Sequence, residues 1–273
     1  MGFATKRKCF ALSLLSMLVT GYAGMASSTQ AMDPSGTPPP LLPPSPPPSS
    51  APAEGASYFS LHFSTDALGS DVKNAVIQAN LAPVSFNKIT VHTRDQVTTT
   101  GQANPAIYTV TIVMENGGHG LVRRMESAQG HDGNSIVRFD LMYRGYFPFL
   151  TQSVPANTES LPPMMETRKV LRFDLHTDGH MNFTYLYGPT GKPAFADPGQ
   201  VICDSGKSYD ASAIYPAIQG QALELNCQNV DTNGIVSDKM KLAYLQKYGV
   251  ALMLHTQNPE SSLDSTIVDF TVE

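Results

Sequence analysis

From Ser57 to Glu273 apolar residues return at every second position, in short runs closed by Gly, Asp or Asn. Side chains on an extended strand alternate between two faces, whereas a helix repeats about every 3.6 residues. This pattern therefore commits most of the chain to antiparallel strands. Val137, Phe139, Leu141 and Tyr143 share one face, with Arg138, Asp140 and Arg144 on the other. Tyr108, Val110, Ile112 and Met114 repeat the pattern, and Val268, Phe270 and Val272 alternate with Asp269 and Thr271.

Turn chemistry predicts how some strands pair. A two-residue Asn116-Gly117 loop, where both residues tolerate positive φ, sets Ile112 opposite Leu121 and Tyr108 opposite Met125. Between Lys169 and Tyr187 a Thr177-Asp178-Gly179 loop pairs Leu175 with Met181, Phe173 with Phe183 and Leu171 with Tyr185. A shorter loop mixes apolar and polar faces, because a one-residue slip turns every side chain over. The three-residue loop is the prediction, with Gly179 left-handed.

Two helices are expected among the strands. Asp66 or Ser70 caps a segment reaching Asn80, with Val72, Ala75, Val76 and Ala79 on one stripe. Ser237 or Asp238 caps Lys239 to Tyr248, stopped by Gly249, although Met240, Leu242 and Tyr244 also alternate. The predicted fold is mainly β: an antiparallel meander forming a sandwich or a strongly curved half-barrel sheet, with one or two short helices.

The N-terminal 56 residues are different in kind. Lys6-Arg7-Lys8, an apolar run from Cys9 to Ala23, and small residues before Ala26 make up a secretory signal peptide over residues 1–26. The run is shorter than the roughly twenty residues a membrane-spanning helix needs. Residues 27–56 are rich in Pro, Ser and Ala and too poor in apolar surface to fold, which predicts an extended linker. Residues 57–273 are left as one β domain. Cleavage after Ala26 takes three of the 18 Lys and Arg, leaving 15 against 23 acidic residues, a net charge of −8. That balance argues against nucleic acid as a partner, and the mature chain has no stable membrane span.

Cys203 and Cys227 are the cysteines remaining after such cleavage, and in an oxidising compartment they are expected to pair. Two cysteines alone fall short of a zinc site. His176-x-Asp178-x-His180 brings two histidines face to face across the predicted hairpin, with a carboxylate between them. A wet hairpin tip accounts for that group better than a metal does. Ser70-Asp71-Val72-Lys73 has the Ser-x-x-Lys spacing of penicilloyl-serine enzymes, but the Lys-Thr-Gly element they require is absent. Asp204-Ser205-Gly206-Lys207-Ser208 ends like a phosphate loop, yet Val201 stands where the first glycine is needed, and a turn is expected there. Asn182-Phe183-Thr184 is a glycosylation sequon on an outward face. Tyr143, Tyr146, Phe147 and Phe149 form a dense aromatic strip, readable as a docking or pocket rim or as a core plug.

No catalytic residue, cofactor site or metal site emerges. The residues point first to an exported, periplasmic or secreted, non-enzymatic protein whose β domain binds a partner protein or serves assembly. The alternative is a carrier of an apolar small molecule or lipid within a curved sheet. A second alternative is a hydrolase or metal-dependent enzyme with dispersed residues.

Overall fold

The computed structural model describes residues 58–273 except 131–132, 157, 159, 176–178, 193, 195 and 232. The predicted signal peptide (1–26) and linker (27–56) lie outside the described residues, as do His176 and Asp178. The domain is a closed antiparallel barrel of twelve strands, more specific than the sandwich or half-barrel expected. The strands are β1 (Lys88–Thr99), β2 (Ala106–Gly118), β3 (Leu121–Gly130), β4 (Ser135–Tyr143), β5 (Phe147–Pro155) and β6 (Met165–Phe173), followed by β7 (His180–Pro189), β8 (Asp197–Asp210), β9 (Gln221–Val230), β10 (Val236–Leu245), β11 (Val250–Gln257) and β12 (Ser261–Val272). Each strand pairs with its sequence neighbours, and β1 closes on β12 through pairs such as Asp95↔Ser265 and Val91↔Phe270. Closure removes the exposed edges that make open sheets prone to aggregation. The weakest seam lies between β5 and β6, which share the pairs Leu150↔Glu166 and Thr151↔Met165.

Residues 58–62 are helical, and α1 (Ser70–Gln78) follows after a 3-10 turn at Thr65–Ala67. Val72 and Val76 are buried as the stripe requires, but the N-cap is Gly69 and no side chain caps the helix. Phe59 and Phe63 pack on Phe139 of β4, at 5.7 and 5.5 Å between ring centroids. Tyr58 Oη donates to Gln152 Oε1 at 2.7 Å. This helical arm thus covers the outer face of β4 and β5, and α1 packs beside β6.

Three local expectations are corrected. Lys239–Tyr248 is not a helix: β10 occupies Val236–Leu245, and the Met240, Leu242, Tyr244 alternation prevails because both neighbouring strands offer it a ladder. The β2–β3 turn is not Asn116-Gly117. His119 and Gly120 take positive φ of 51° and 74°, so Ile112 faces Glu126 and Tyr108 faces Gly130. A Cβ on Gly120 would stand 2.5 Å from Leu81 Cβ, so the glycine sits where the arm crosses the turn. In the β6–β7 hairpin Phe173 does face Phe183, but register shifts put Val170, not Leu171, opposite Tyr185. Leu171 is left exposed. Gly179 is not left-handed.

One end of the barrel is filled. The β4–β5 turn folds across it, held by the Ala251 amide donating to Arg144 O at 2.8 Å. Gly145, with φ 86°, fits there because a Cβ would meet Ala251 O at 2.6 Å. Tyr143, Tyr146, Phe147, Phe149, Phe173 and Phe183 pack ring to ring, with Phe147 stacked on Phe183 at 4.9 Å. The aromatic strip is therefore a core plug: Tyr143, Tyr146, Phe147 and Phe149 are at most 5% exposed. Beside it Cys203 and Cys227, directly opposed on β8 and β9, form a disulfide with Cα atoms 4.0 Å apart. Closing a loop of this length contributes about 3 kcal/mol in the chain-entropy picture.

Candidate functional site

The rest of the lumen is hollow. A cavity of about 300 Å³ is bounded by side chains from every strand except β6. Its outer part is lined by Val97, Tyr108, Ala128, Tyr187 and Leu263, and by Asp231 and Asn258 of adjoining turns. Val110, Ile112 and Met114 of β2 and Met240 of β10 make an apolar wall. Met142, Tyr146, Leu242 and Leu252 form the floor, where the aromatic plug begins. Burial drives the Tyr146 phenol well above the ordinary tyrosine range, with Tyr143 and Tyr244 adding to the effect.

Set into this wall is a charged cluster. Register places Arg124 opposite Asp140 and Glu126 opposite Arg138, on the faces of β3 and β4 that look into the lumen. Arg138 Nε donates to both carboxylate oxygens of Asp140 at 2.8 Å. Arg124 Nη1 lies 3.6 Å from Asp140 Oδ2, and its Nη2 donates to Glu126 Oε2. Asp140 has no exposed surface, and the two guanidinium side chains are each 12% exposed. Burial alone depresses the basicity of Arg124, but Glu126, Asp140 and Asp95 more than offset it, so its pKa is raised. Asp95, across the lumen wall on β1, accepts from Thr93 Oγ1 and Ser265 Oγ, both at 2.7 Å. Burial nonetheless raises its pKa, outweighing those two hydroxyls.

Such a cluster is a poor way to stabilise a barrel. Removing two charges from water costs several kcal/mol per ion, and apolar replacements of similar volume are often as stable or more so. Its position in the wall of a hollow is thus not accounted for by stability.

The residues singled out from sequence fare differently. His180 pairs with Asp204 at 2.7 Å on the exterior. Among the described residues no group of three His, Cys, Asp or Glu side chains is placed to hold a metal ion. Ser70 begins α1, and Lys73 is held by Asp66 at 2.5 Å. Residues 204–208 lie within β8, not in a turn. Asn182 is 7% exposed, its Oδ1 accepting from Thr184 and Gln200, so the sequon does not stand on an open face.

The charged cluster escaped sequence reading because Arg138 and Asp140 look like the wet face of a strand whose other face is Phe139 and Leu141. Both faces are covered: one by the helical arm, the other by the barrel itself. A signal was present nonetheless. Arg124-x-Glu126 and Arg138-x-Asp140 are both spaced by two on neighbouring strands, which lets unlike charges meet across the ladder.

No protein-family model matches the chain, and no curated protein matches it. Solved structures do. A β-barrel-like protein of domain of unknown function DUF1849 from Brucella abortus matches with a TM-score of 0.43 and 9% identity, over 70% of this chain and 99% of that one. A putative outer membrane lipoprotein-sorting protein domain from Vibrio parahaemolyticus matches with a TM-score of 0.36 and 9% identity, over 73% and 91%. A DUF1329 family protein from Desulfovibrio piger matches with a TM-score of 0.31 and 8% identity, over 73% and 90%.

Proposed function

We propose that this is an exported, non-enzymatic binding protein whose barrel lumen carries one small, largely apolar molecule. The observation that carries the reading is the hollow of about 300 Å³, walled by Val110, Ile112, Met114, Met240 and Leu263 inside a closed sheet. Ligand pockets begin at about that volume, and an apolar wall with a few polar groups is their usual make-up. The partner-docking alternative loses its main support, since the aromatic strip offered for it is buried.

The exterior supports a barrel that works in water. Arg94 and Gln96 on β1, Lys239 and Lys241 on β10, and Asp264 and Thr266 on β12 are all exposed. A barrel that spans a bilayer carries the reverse pattern, an apolar band outside and a polar interior. Among the described residues no helix is long and apolar enough to cross a membrane. Export is supported by the signal-like N-terminus and by the Cys203–Cys227 bond, which persists in oxidising compartments.

Native mass spectrometry of the full chain is the test. The expected result is retention of a small molecule, removable by organic extraction. Ala128→Trp, which fills the outer lumen, should abolish that retention without unfolding the barrel. Unaltered retention in Ala128→Trp would place the ligand elsewhere and end the proposal.

A further inference from the structure

We infer that the molecule held in the lumen is a single-chain carboxylate, its head on Arg138 and its chain along the β2 wall. This inference rests on the carrier reading above. Arg138 is committed through Nε alone, both bonds going to Asp140. Among the described residues its two terminal nitrogens have no hydrogen-bond partner, although the side chain lines the cavity and is 12% exposed. A guanidinium held by Nε presents those two nitrogens as a fork, which matches the two oxygens of a carboxylate.

The lumen also contains acids, and all but Asp197 accept hydrogen bonds already. Glu126 accepts from Arg124. Asp95 is bonded to two hydroxyls. Asp238 accepts from Ser237 Oγ at 2.9 Å and Asn229 Nδ2 at 3.4 Å. Asp231 accepts from the backbone amides of Asn233 and Ile235, both at 2.8 Å. Asp197 is exposed at the rim. The unspent hydrogen-bonding capacity in the wall thus includes a donor fork, Arg138 Nη1 and Nη2, besides the buried Tyr146 Oη at the floor, and an anion is what satisfies the fork. Ile112 and Met114 flank it at adjoining register positions: Ile112 faces Glu126, the partner of Arg138, and Met114 faces Arg124. A chain attached to the bound carboxylate therefore meets apolar wall at once.

Three probes that differ in the head group decide the matter: decanoate, decan-1-ol and decylammonium, titrated calorimetrically at neutral pH into the full chain after organic extraction. Decanoate should bind at least tenfold more tightly than decanol. Arg138→Gln should erase that preference, and Arg138→Lys, which keeps the charge but not the fork, should retain part of it. Should the Gln variant fail to fold, the wild-type ratio and the Lys variant decide alone. Equal binding of decanoate and decanol, or tightest binding of decylammonium, overturns the carboxylate inference but leaves the carrier reading standing. Binding of none of the three removes both.

Discussion

The two halves of the barrel are built from the same strands and spend their interior differently. At the closed end, Phe173 and Phe183 pack their rings against Phe147 and Tyr143, and Phe147 and Phe183 have no exposed surface. At the hollow end, the same β4 that contributes Tyr143 turns Arg138 and Asp140 inward beside about 300 Å³ of unfilled space. β7 likewise runs from Met181 and Phe183 in the plug to Tyr185 and Tyr187 on the cavity wall. The plug holds the barrel together, and the stability it supplies lets the other half keep a cavity and buried charges that weaken the fold.

Each half can be altered in turn. Phe183→Ala opens a void in the plug and should cost about 3–5 kcal/mol in urea unfolding, the usual penalty for deleting a buried aromatic ring. A loss below 1 kcal/mol would mean that the plug is not the stabilising half. The opposite change belongs at the hollow end. Replacing Arg124, Glu126, Arg138 and Asp140 together by Met, Leu, Met and Leu should leave stability unchanged or raise it by about 1–4 kcal/mol, as apolar replacement of buried ion pairs does. A marked loss on the same unfolding measurement would make the cluster structural instead of functional.

The smallest expected effect is the titration of Asp95. Its pKa in the folded state is raised, chiefly by burial, so ionising it costs the folded form more than the unfolded chain. Its contribution is therefore intact below the ordinary aspartate pKa and declines as pH rises through the raised value. Asp95→Asn should match wild type under acid conditions and exceed it at neutral pH, as read from melting temperatures across a pH series. A variant that is less stable than wild type at neutral pH would show that the ionised carboxylate, with its Thr93 and Ser265 bonds, supports the fold.

Much of the local structure is legible in the residues. The alternation in β2 and β4, the Val72/Val76 stripe of α1 and the Phe173↔Phe183 pairing follow from side-chain period and from matching apolar faces across a turn. Where two local signals compete, the sequence misleads. Asn116-Gly117 has stronger turn chemistry than His119-Gly120, but the longer strands gain Gly118↔Leu121 and Asn116↔Val122 pairings and leave the helical arm room to cross at Gly120. Lys239–Leu245 reads equally as helix or strand in isolation, and the ladders of β9 and β11 decide it.

Composition and periodicity alone thus determined that the chain folds into antiparallel strands with a short helix, and that Cys203 and Cys227 were available to pair. Long-range pairing is what returns β1 to β12, 170 positions from Asp95 to Ser265, and closes the barrel. The same closure decided that the polar face of β4 looks inward. The physical reason is that alternation assigns residues to two faces without saying what covers either one. Coverage comes from curvature and long-range pairing, and it turned Arg138 and Asp140 from an expected wet surface into the wall of a cavity.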